Sequence, residues 1–365
     1  MNSRILYLAT ADARGHLMRA QLLVHALREA GAEVQVLTTS KQGQVFLQRF
    51  AIQAELLSEH YAVQFDDQQN MQRRATNRNV AHYLFRPGRM LRDMLHLGRR
   101  LRHADLIIND SFHPALLYMG MLPGWRRKVV HVYGASLKVA LLSNFQGMWP
   151  PQFGRLFAWI VQRQVDAARA RIEHDFAYGV DDAQAPALYR LPTPVALAAD
   201  TPQQPAVEAA VYLNPHFRQP ALADALSAGL AQAGLAAHRV GEGYAGRDGW
   251  LAVDPLWADR AAAAQLLVSA PGMAALSIAR VYRRPIILVL SDQPEQTSNA
   301  ARAASLQLLH RVVTWRGDAM DFQQQVAQAA VQLCAEQALA AESSGAGRER
   351  ARLRIDAWVQ RLLNL

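Results

Sequence analysis

The sequence is short of several residue types, and each shortage excludes a class of protein. Its 365 residues include a single cysteine, Cys334, which excludes an internal disulfide and any metal site built from several thiolates. No apolar run approaches the length of about eighteen residues that a membrane-spanning helix needs. The apolar run near the N-terminus is too short for a secretory signal peptide. We therefore expect a cytoplasmic protein.

Glycine is missing where a dinucleotide-binding loop would need it. The first predicted strand, RILYLAT, is followed by the turn TADARGH, in which Gly15 is the only glycine. A G-x-G-x-x-G loop is therefore absent, and a cofactor bound by such a loop is not expected.

Lysine is also rare, so arginine supplies almost all of the positive charge. Three of the 39 basic residues are lysine, and the formal net charge is +9. Residues 71–103 contain one acid, Asp93, and nine arginines: Arg73, Arg74, Arg78, Arg86, Arg89, Arg92, Arg99, Arg100 and Arg102. This segment therefore carries a net charge of +8 (nine minus one). It predicts an anionic partner, such as phospholipid headgroups, a phosphorylated acceptor or nucleic acid, with a solvated helix face as the alternative.

Nucleic acid is the least favoured of these partners. Few aromatic residues, Tyr83 and Phe85, interleave with the arginines, and no motif that reads nucleic acid is present. Binding of single-stranded nucleic acid usually needs such aromatic residues for stacking.

Strand and helix patterns alternate along most of the chain, as in parallel α/β sheets. The strand RILYLAT, the helix HLMRAQLLVHALREAG and the strand EVQVLTT form one such unit, and the pattern resumes at EAAVYLN. Residues 181–207 lie between these regions, are rich in Pro, Ala and polar residues, and are predicted to be a linker. We predict two Rossmann-like parallel-sheet domains, residues 1–180 and 208–342, that face each other across a cleft. After a break at SSGAG, an amphipathic closing helix is predicted over 348–365.

Polar residues at the ends of two predicted strands mark a first candidate site. His16 opens the first helix, where the helix dipole disfavours a protonated imidazole, so a neutral ring is available as a general base. Asp110 ends the strand DLIIND, and strand ends in a parallel sheet converge, so its carboxylate would orient His16. Ser111 and His113 lie in the same loop and are candidates for contact with an acceptor. A helix-capping role for His16 and a turn-capping role for Asp110 are the structural alternatives.

A second candidate site begins at SAPGMAALSIAR, where an apolar strand reaches a Pro-Gly turn and a helix starts at once. Backbone N–H groups at such a helix start, together with the helix dipole, favour an anion such as phosphate. The candidate residues of this turn are Ser269, Gly272 and Met273. In another strand-end loop, Asn214 is a candidate for contact with a phosphate.

The loop PEQTSN follows the predicted strand PIILVL. It places a carboxylate next to amides, and such groups hydrogen-bond the hydroxyls of a sugar; the candidates are Glu295, Gln296 and Asn299. For Asn299, and for Ser298 beside it, capping of the following helix is the alternative.

These features together resemble the GT-B glycosyltransferases, nearest to the UDP-glycosyltransferases and the peptidoglycan N-acetylglucosaminyltransferase. The matching stretches are ARGHLMRAQLLVHALREAGAEVQVLTT and LLVSAPGMAALSIARVYRRPIILVLSDQPEQTSNAARA. The resemblance implies a final helix that crosses back to the first domain, and inverting transfer of a sugar from a nucleotide-sugar donor, with a UDP-sugar as the first candidate. It implies His16 as the base that deprotonates an acceptor hydroxyl, Asp110 as its orienting partner and Gly15 beside the acceptor. It also implies that no metal or cofactor is needed.

The donor site departs from the family pattern. Gly272 matches the glycine whose helix faces the diphosphate, and Glu295 and Gln296 match the pair that contacts the donor sugar. Ala270 stands where the family has a phosphate-binding histidine. Ala274–Ala275 replace the family's Asn-Ser pair, and Ile278 replaces the acid that binds the ribose. Each lost charged hydrogen bond removes ~1.5–3 kcal/mol. Binding would then depend on the backbone amides at Gly272 and Met273.

Three functions follow from this sequence. The first is a glycosyltransferase with a lipid-linked or hydrophobic acceptor, held near the inner membrane surface by the arginines of residues 71–103. The second is a non-catalytic relative that serves as a partner subunit in a biosynthetic complex. It is favoured by the loss of the family's polar side chains from the helix that would bind the donor. The third, a nucleotide-sugar epimerase, ranks lower because few carboxylates fall in the predicted cleft.

Overall fold

The computed structural model describes residues 3–10, 14–58, 87–110, 112–135, 151–180, 185–199, 207–215, 217–291, 294–338 and 344–365. Contacts divide these residues into two units. The first holds the described residues up to Pro194 together with Arg354–Leu365, and the second holds Val195–Leu353. Each unit is built on a parallel sheet with helices between its strands, so the predicted α/β fold class is confirmed. Among the described helices, none combines the length and the apolar character needed to cross a membrane.

Seven parallel strands form the sheet of the first unit, in the order β3-β2-β1-β4-β5-β6-β7. They are β1 (Arg4–Ala9), β2 (Glu33–Thr38), β3 (Ala54–Leu56), β4 (Leu106–Asp110), β5 (Val129–Gly134), β6 (Ala170–Asp175) and β7 (Leu188–Pro192). After β3 the chain crosses to the other side of β1 and continues at β4. The winding direction therefore reverses between β1 and β4, and ligands of such sheets bind beyond the carboxyl ends of the strands at that point.

Helices cover both faces of this sheet: α1 (Arg14–Glu29), α2 (Lys41–Gln48), α3 (Pro87–Leu101), α4 (Pro114–Met119) and α5 (Pro151–Ala167). Successive residues of a strand point to opposite faces. In β1, Ile5 and Tyr7 pack with α1, whereas Leu6 and Leu8 pack with α3 and α4. Because α5 contacts α4, helices α3, α4 and α5 form one layer, and α1 and α2 form the other.

The second unit has a six-stranded parallel sheet in the order β10-β9-β8-β11-β12-β13. Its strands are β8 (Ala209–Tyr212), β9 (Ala237–Val240), β10 (Trp250–Leu251), β11 (Leu266–Ser269), β12 (Ile286–Leu290) and β13 (His310–Thr314). Its helices are α6 (Pro220–Gln232), α7 (Trp257–Ala263), α8 (Met273–Tyr282), α9 (Pro294–Ser305) and α10 (Ala319–Ala338). Gly229 lets α6 and α10 pack closely, because a Cβ there would lie 2.7 Å from the carbonyl oxygen of Gln323.

The last helix, α11 (Ser344–Leu363), contributes its first residues to the second unit and its last residues to the first. The closing helix predicted over 348–365 begins earlier than predicted, because α11 already includes the two glycines of SSGAG. A Cβ on Gly347 would lie 2.6 Å from Cδ1 of Tyr282, so this glycine serves close packing rather than a chain break. Farther along, Trp358 is fully buried in the core of the first unit and its indole N–H donates to the carbonyl of Pro192 at 2.8 Å.

The segment predicted as a linker, 181–207, contains the strand β7, so this part of the prediction is wrong. β7 pairs with β6 from Leu188 to Pro192 and lies at the sheet edge. The chain therefore stays in the first unit to Pro194 instead of leaving it at residue 180. Proline is tolerated in an edge strand because one side of the strand has no neighbour to receive its missing N–H.

Candidate functional site

His16 lies in the first turn of α1, just beyond the carboxyl end of β1. Its Nδ1 is 3.1 Å from the hydroxyl oxygen of Thr10, the buried residue that follows the strand. When Nδ1 carries the proton and donates it to this hydroxyl, Nε2 keeps the lone pair that a general base needs. His16 as a whole residue is half-buried.

The environment of His16 favours the neutral ring. Burial lowers the pKa of His16 to about 4; the Asp110 carboxylate opposes this change and the Arg19 guanidinium adds to it. His16 is therefore unprotonated near neutral pH, which is the state required of a base.

Asp110 ends β4 and is fully buried. Its Oδ2 accepts a hydrogen bond from Nε of Arg19 at 3.0 Å and one from the Tyr7 hydroxyl at 2.8 Å, and its Oδ1 pairs with Nη2 of Arg19. Burial lowers the pKa of Arg19, but the Asp110 carboxylate and the Tyr7 hydroxyl together raise it above its usual value, so the guanidinium stays charged. The charge of the Asp110 carboxylate, which was predicted to orient His16, is thus neutralised by Arg19, which lies three residues after His16 in α1. The orienting role of Asp110 remains a prediction.

The buried charge pair continues into a wider network. Nη1 of Arg19 lies 2.5 Å from Nε2 of His174, whose Nδ1 lies 3.0 Å from the hydroxyl of Thr193. Because an arginine only donates, Nε2 of His174 accepts, and Nδ1 donates to the threonine. Burial and the neighbouring Arg19 charge hold the pKa of His174 well below its usual range. The network joins residues of β1, β4 and β6 with Thr193, which follows β7, so it reaches across β5, the strand between β4 and β6.

Thr10, Arg19 and His174 were not among the sequence-based candidates. Arg19 did carry a signal, because it falls between Leu17 and Ala20 on the apolar side of α1, where a charged residue must be paired. Nothing local in the sequence connects it to Asp110, which is 91 positions away.

The proposed acceptor residues have different outcomes. Ser111 lies outside the described residues, and Gly15 is exposed, with open space where a side chain would be. His113 is fully buried and caps α4, because its Nδ1 accepts from the backbone N–H of Ala115 at 3.3 Å. Its Nε2 lies 3.9 Å from a carboxylate oxygen of the buried Asp93. This interior position leaves the acceptor role of His113 without support from the geometry.

In the second unit, Gly272 is the exposed N-cap of α8. Its backbone N–H donates to the carbonyl of Ala270 at 2.7 Å, so this amide is not available to a ligand in the way the sequence suggested. The N–H groups of Met273, Ala274 and Ala275 occupy the first turn, where a helix supplies no acceptor of its own. These three amides make the start of α8 able to hold an anion.

Two amide side chains of α9 hold the loops around this helix start. Nδ2 of the buried Asn299 donates to the carbonyl of Pro271 at 2.9 Å, and this bond fixes the turn that leads into α8. Oε1 of Gln296 accepts from the backbone N–H and the hydroxyl of Ser291, at 3.1 and 3.2 Å. Both side chains are thus engaged at least partly in holding the protein itself.

The remaining donor candidates stand as follows. Ser269 is the buried last residue of β11. Asn214 follows β8, and its backbone carbonyl accepts from the N–H of Phe217 at 3.0 Å. Glu295 lies in the first turn of α9, and its side chain is outside the described part of the chain. The described residues include no group of three or more His, Cys, Asp or Glu side chains arranged to hold a metal ion.

Comparison with known proteins identifies the fold. No protein-family model matches the chain, and no curated protein matches it in sequence. Among solved structures, the glycosyltransferase of kitacinnamycin is similar at 14% identity and a TM-score of 0.63. The match covers 100% of this chain and 98% of that protein. UGT89C1 from Arabidopsis thaliana, solved with quercetin, matches 99% of this chain with all of its own, at 14% identity and a TM-score of 0.62.

A third similar structure is the spinosyn rhamnosyltransferase SpnG complexed with thymidine diphosphate. It matches 99% of this chain with all of its own, at 14% identity and a TM-score of 0.56. At this level of identity the similarity establishes the fold, and the predicted resemblance to GT-B glycosyltransferases is confirmed.

Proposed function

We propose that this protein is an inverting glycosyltransferase that moves a sugar from a nucleotide-sugar to an acceptor hydroxyl without a metal. The observation that carries the proposal is the partly exposed His16, neutral at physiological pH, with Nδ1 at the Thr10 hydroxyl. It stands beyond β1, where the winding of the sheet reverses. The similarity over the full chain to several glycosyltransferases supports sugar transfer as the reaction.

In this mechanism Nε2 of His16 takes the proton of the acceptor hydroxyl while the hydroxyl oxygen forms a bond to the anomeric carbon. The bond from that carbon to the phosphate oxygen breaks on the opposite side, and the nucleoside diphosphate leaves with the electron pair. Asp110 favours the imidazolium that results, and Arg19 opposes it. Burial has the largest effect on the pKa of His16 and lowers it, so the ring holds the proton weakly.

We propose that the first-turn amides of α8, including that of Met273, hold the diphosphate of the donor, since they need no side chain to do so. Asn214, Ser269 and Gly272 would border the phosphates, and Glu295, Gln296 and Asn299 the sugar. A UDP-sugar is the first candidate donor. A TDP-sugar is the second, because the SpnG structure contains thymidine diphosphate.

A screen of UDP-, TDP- and GDP-sugars by thermal shift and calorimetry tests the donor proposal. We expect at least one donor to stabilise the protein. We expect His16→Ala to abolish transfer while it leaves donor binding unchanged, because the base contacts the acceptor and not the nucleotide. Full activity of His16→Ala would refute the role of His16, and no binding of any nucleotide-sugar would refute the function.

The second candidate function is that of a non-catalytic partner subunit. The apolar residues Ala270, Ala274 and Ile278, at positions where the family binds phosphate and ribose, favour it. In that case the purified protein would bind a second protein of a biosynthetic complex and hydrolyse no sugar donor. A single turnover with any donor excludes this function.

The acceptor we propose is lipid-linked or hydrophobic, and the protein is proposed to act in the cytoplasm, peripherally at an anionic membrane surface. Residues 71–86 lie outside the described part of the chain. Helix α3 and the two residues after it supply the described remainder of the basic segment, with Arg89, Arg92 and Arg99 exposed and the single acid, Asp93, buried. Binding to anionic vesicles should weaken as salt is raised, since exposed charges are screened. Absence of binding at low salt would refute the membrane contact.

A further inference from the structure

The N-terminal part of α5 presents an exposed stripe of mixed apolar and basic residues. Residues 152, 155, 156, 159, 160 and 163 recur at the spacing of one helix face and are all exposed. The stripe consists of Gln152, Arg155, Leu156, Trp159, Ile160 and Arg163, and we call it the α5 stripe. Trp159 is 57% exposed and Leu156 is 51% exposed, and with Ile160 they form a contiguous apolar patch, the kind of surface that marks an interaction site.

The α5 stripe points away from the core of the first unit. The opposite side of α5 buries Gln164 and Val165, and Val165 packs with Phe112, Leu117 and Tyr133. The helix is therefore already anchored to its own sheet, and the stripe is an additional apolar surface that folding of this unit does not use.

Neighbouring elements of the same layer extend this surface. Helix α4 lies between α3 and α5 in contact with both, and it carries the exposed Tyr118. On α3, Leu91 and Leu95 are exposed, beside Arg92 and Arg99. The outer side of this layer thus combines large apolar side chains with arginines over three successive helices.

The charge of the α5 stripe indicates what covers it. Residues 151–165 contain no acid, and the first acid of the helix, Asp166, pairs with Arg171. The guanidinium of Arg163 lies 5.4 Å from the centre of the Trp159 ring, so the basic and apolar groups form one surface. A tryptophan and aliphatic side chains flanked by arginines, without acids, are typical of helices that lie in the interface of an anionic bilayer.

We propose that α5 inserts its exposed stripe into the headgroup region of an anionic phospholipid bilayer. Leu156, Trp159 and Ile160 reach the boundary of the acyl chains, while Arg155 and Arg163 bind lipid phosphates. This inference rests on the proposed membrane location, and it adds a hydrophobic insertion element to the electrostatic contact of the basic segment.

Co-sedimentation of the full chain with vesicles tests the insertion. The vesicles are pure phosphatidylcholine, or equal parts phosphatidylcholine and phosphatidylglycerol. We expect the triple variant Leu156→Ser/Trp159→Ser/Ile160→Ser to bind the anionic vesicles on the order of tenfold or more weakly, because three apolar side chains no longer leave water. The matched control is Met320→Ser/Val331→Ser, which removes exposed apolar side chains from α10 and should bind like the wild type.

A second pair of variants tests the arginines. Arg155→Gln/Arg163→Gln should weaken binding about twenty-fivefold, at about fivefold per arginine near an anionic surface. The control Arg316→Gln/Arg352→Gln, at exposed positions of the second unit, should have little effect. Because all the substituted side chains are exposed, we expect every variant to melt close to the wild-type temperature. Quenching of wild-type tryptophan fluorescence by brominated lipid, and its decrease in Trp159→Phe, measures insertion without a destabilising change.

The outcomes separate the two proposals. If the wild type binds anionic vesicles but the triple variant binds them equally well, the contact is electrostatic and insertion through α5 is wrong, while the membrane location stands. If the wild type binds neither vesicle, both fail. If the triple substitution instead abolishes self-association in sedimentation velocity, the stripe belongs to a contact with a second copy and the proposal is overturned.

Discussion

Arg19 and Asp110 form a buried ion pair in the first unit, and both residues affect the pKa of His16. Arg19 holds both carboxylate oxygens of Asp110, and both residues are almost completely buried. A buried ion pair is tolerated only when its hydrogen bonds are satisfied, and here the Tyr7 hydroxyl and the His174 ring complete them. The pair thus brings two opposing charges to His16 and little net charge.

We expect Arg19→Met to raise the pKa of His16, because the cation that opposes its protonation is lost and the Asp110 carboxylate remains. Wild-type His16, with its pKa lowered to about 4, is protonated only as the pH falls through that value. A base works only in its unprotonated form, so transfer should stop at higher pH in the variant than in the wild type. Histidine titration by NMR and the pH–rate profile measure the two effects.

The double variant Arg19→Met/Asp110→Asn serves as a second measurement, since it removes both buried charges and leaves no unpaired one. It should return the pKa of His16 towards the wild-type value. Arg28→Met, on an exposed position of the same helix, is the matched control. An unchanged His16 titration in Arg19→Met would mean that the guanidinium does not control this ring.

Glycines in two helices have opposite roles that depend on what surrounds them. Gly347, in α11, lies against Tyr282, whereas Gly88, in α3, has nothing within 4 Å of the place where a Cβ would be. The hydroxyl of Tyr282 also bonds the backbone of Ala196 and Ala198, so this ring is not free to move aside. A glycine inside a helix otherwise costs stability relative to alanine.

We therefore expect Gly347→Ala to destabilise the protein by ~1–3 kcal/mol through overpacking. The comparison change Gly88→Ala, in the first turn of α3, should stabilise it by less than ~1 kcal/mol, because alanine loses less backbone entropy on folding. Thermal unfolding of the two variants beside the wild type measures both. Equal effects of the two substitutions would show that helix propensity, and not packing against Tyr282, decides the outcome.

At the scale of the whole molecule, α11 completes the first unit from the far end of the chain. Trp358 lies in its core, and Arg354 donates to the carbonyl of Thr193 at 3.0 Å. Thr193 also bonds His174, so the helix reaches the network that contains Asp110. The first unit is thus incomplete without residues from the C-terminus.

Trp358→Ala should destabilise the first unit by ~3–5 kcal/mol, because it empties a core position and leaves the Pro192 carbonyl without its indole partner. Hydrogen exchange resolved by peptide should show faster exchange in β6 and β7 and little change in α6 and α10 of the second unit. Gln360→Ala, exposed on the same helix, is the control. Equal acceleration in both units would mean that the molecule unfolds as a single cooperative body.

The sequence by itself determined the fold class and the first member of each candidate site. β1 is a continuous apolar run, β2 alternates polar and apolar residues, and the apolar residues of α1 recur every three to four positions. These patterns are local, so they can be recognised in the sequence. His16 and Gly272 were found because each opens a helix directly after a strand, and a strand end is also a local feature. The edge strand β7 was missed because its pairing with β6 is long-range and its proline resembles a linker residue.

Only the tertiary structure decided how the candidate residues are used. Arg19, Asp110 and His174 are distant in sequence and meet because the ends of parallel strands converge at one edge of the sheet. His113 became a buried helix cap, the Gly272 amide turned back to Ala270, and Asn299 bonded the Pro271 carbonyl. In each case a polar group takes a hydrogen-bond partner within the protein once water is excluded. Which partner lies within reach is decided by the fold.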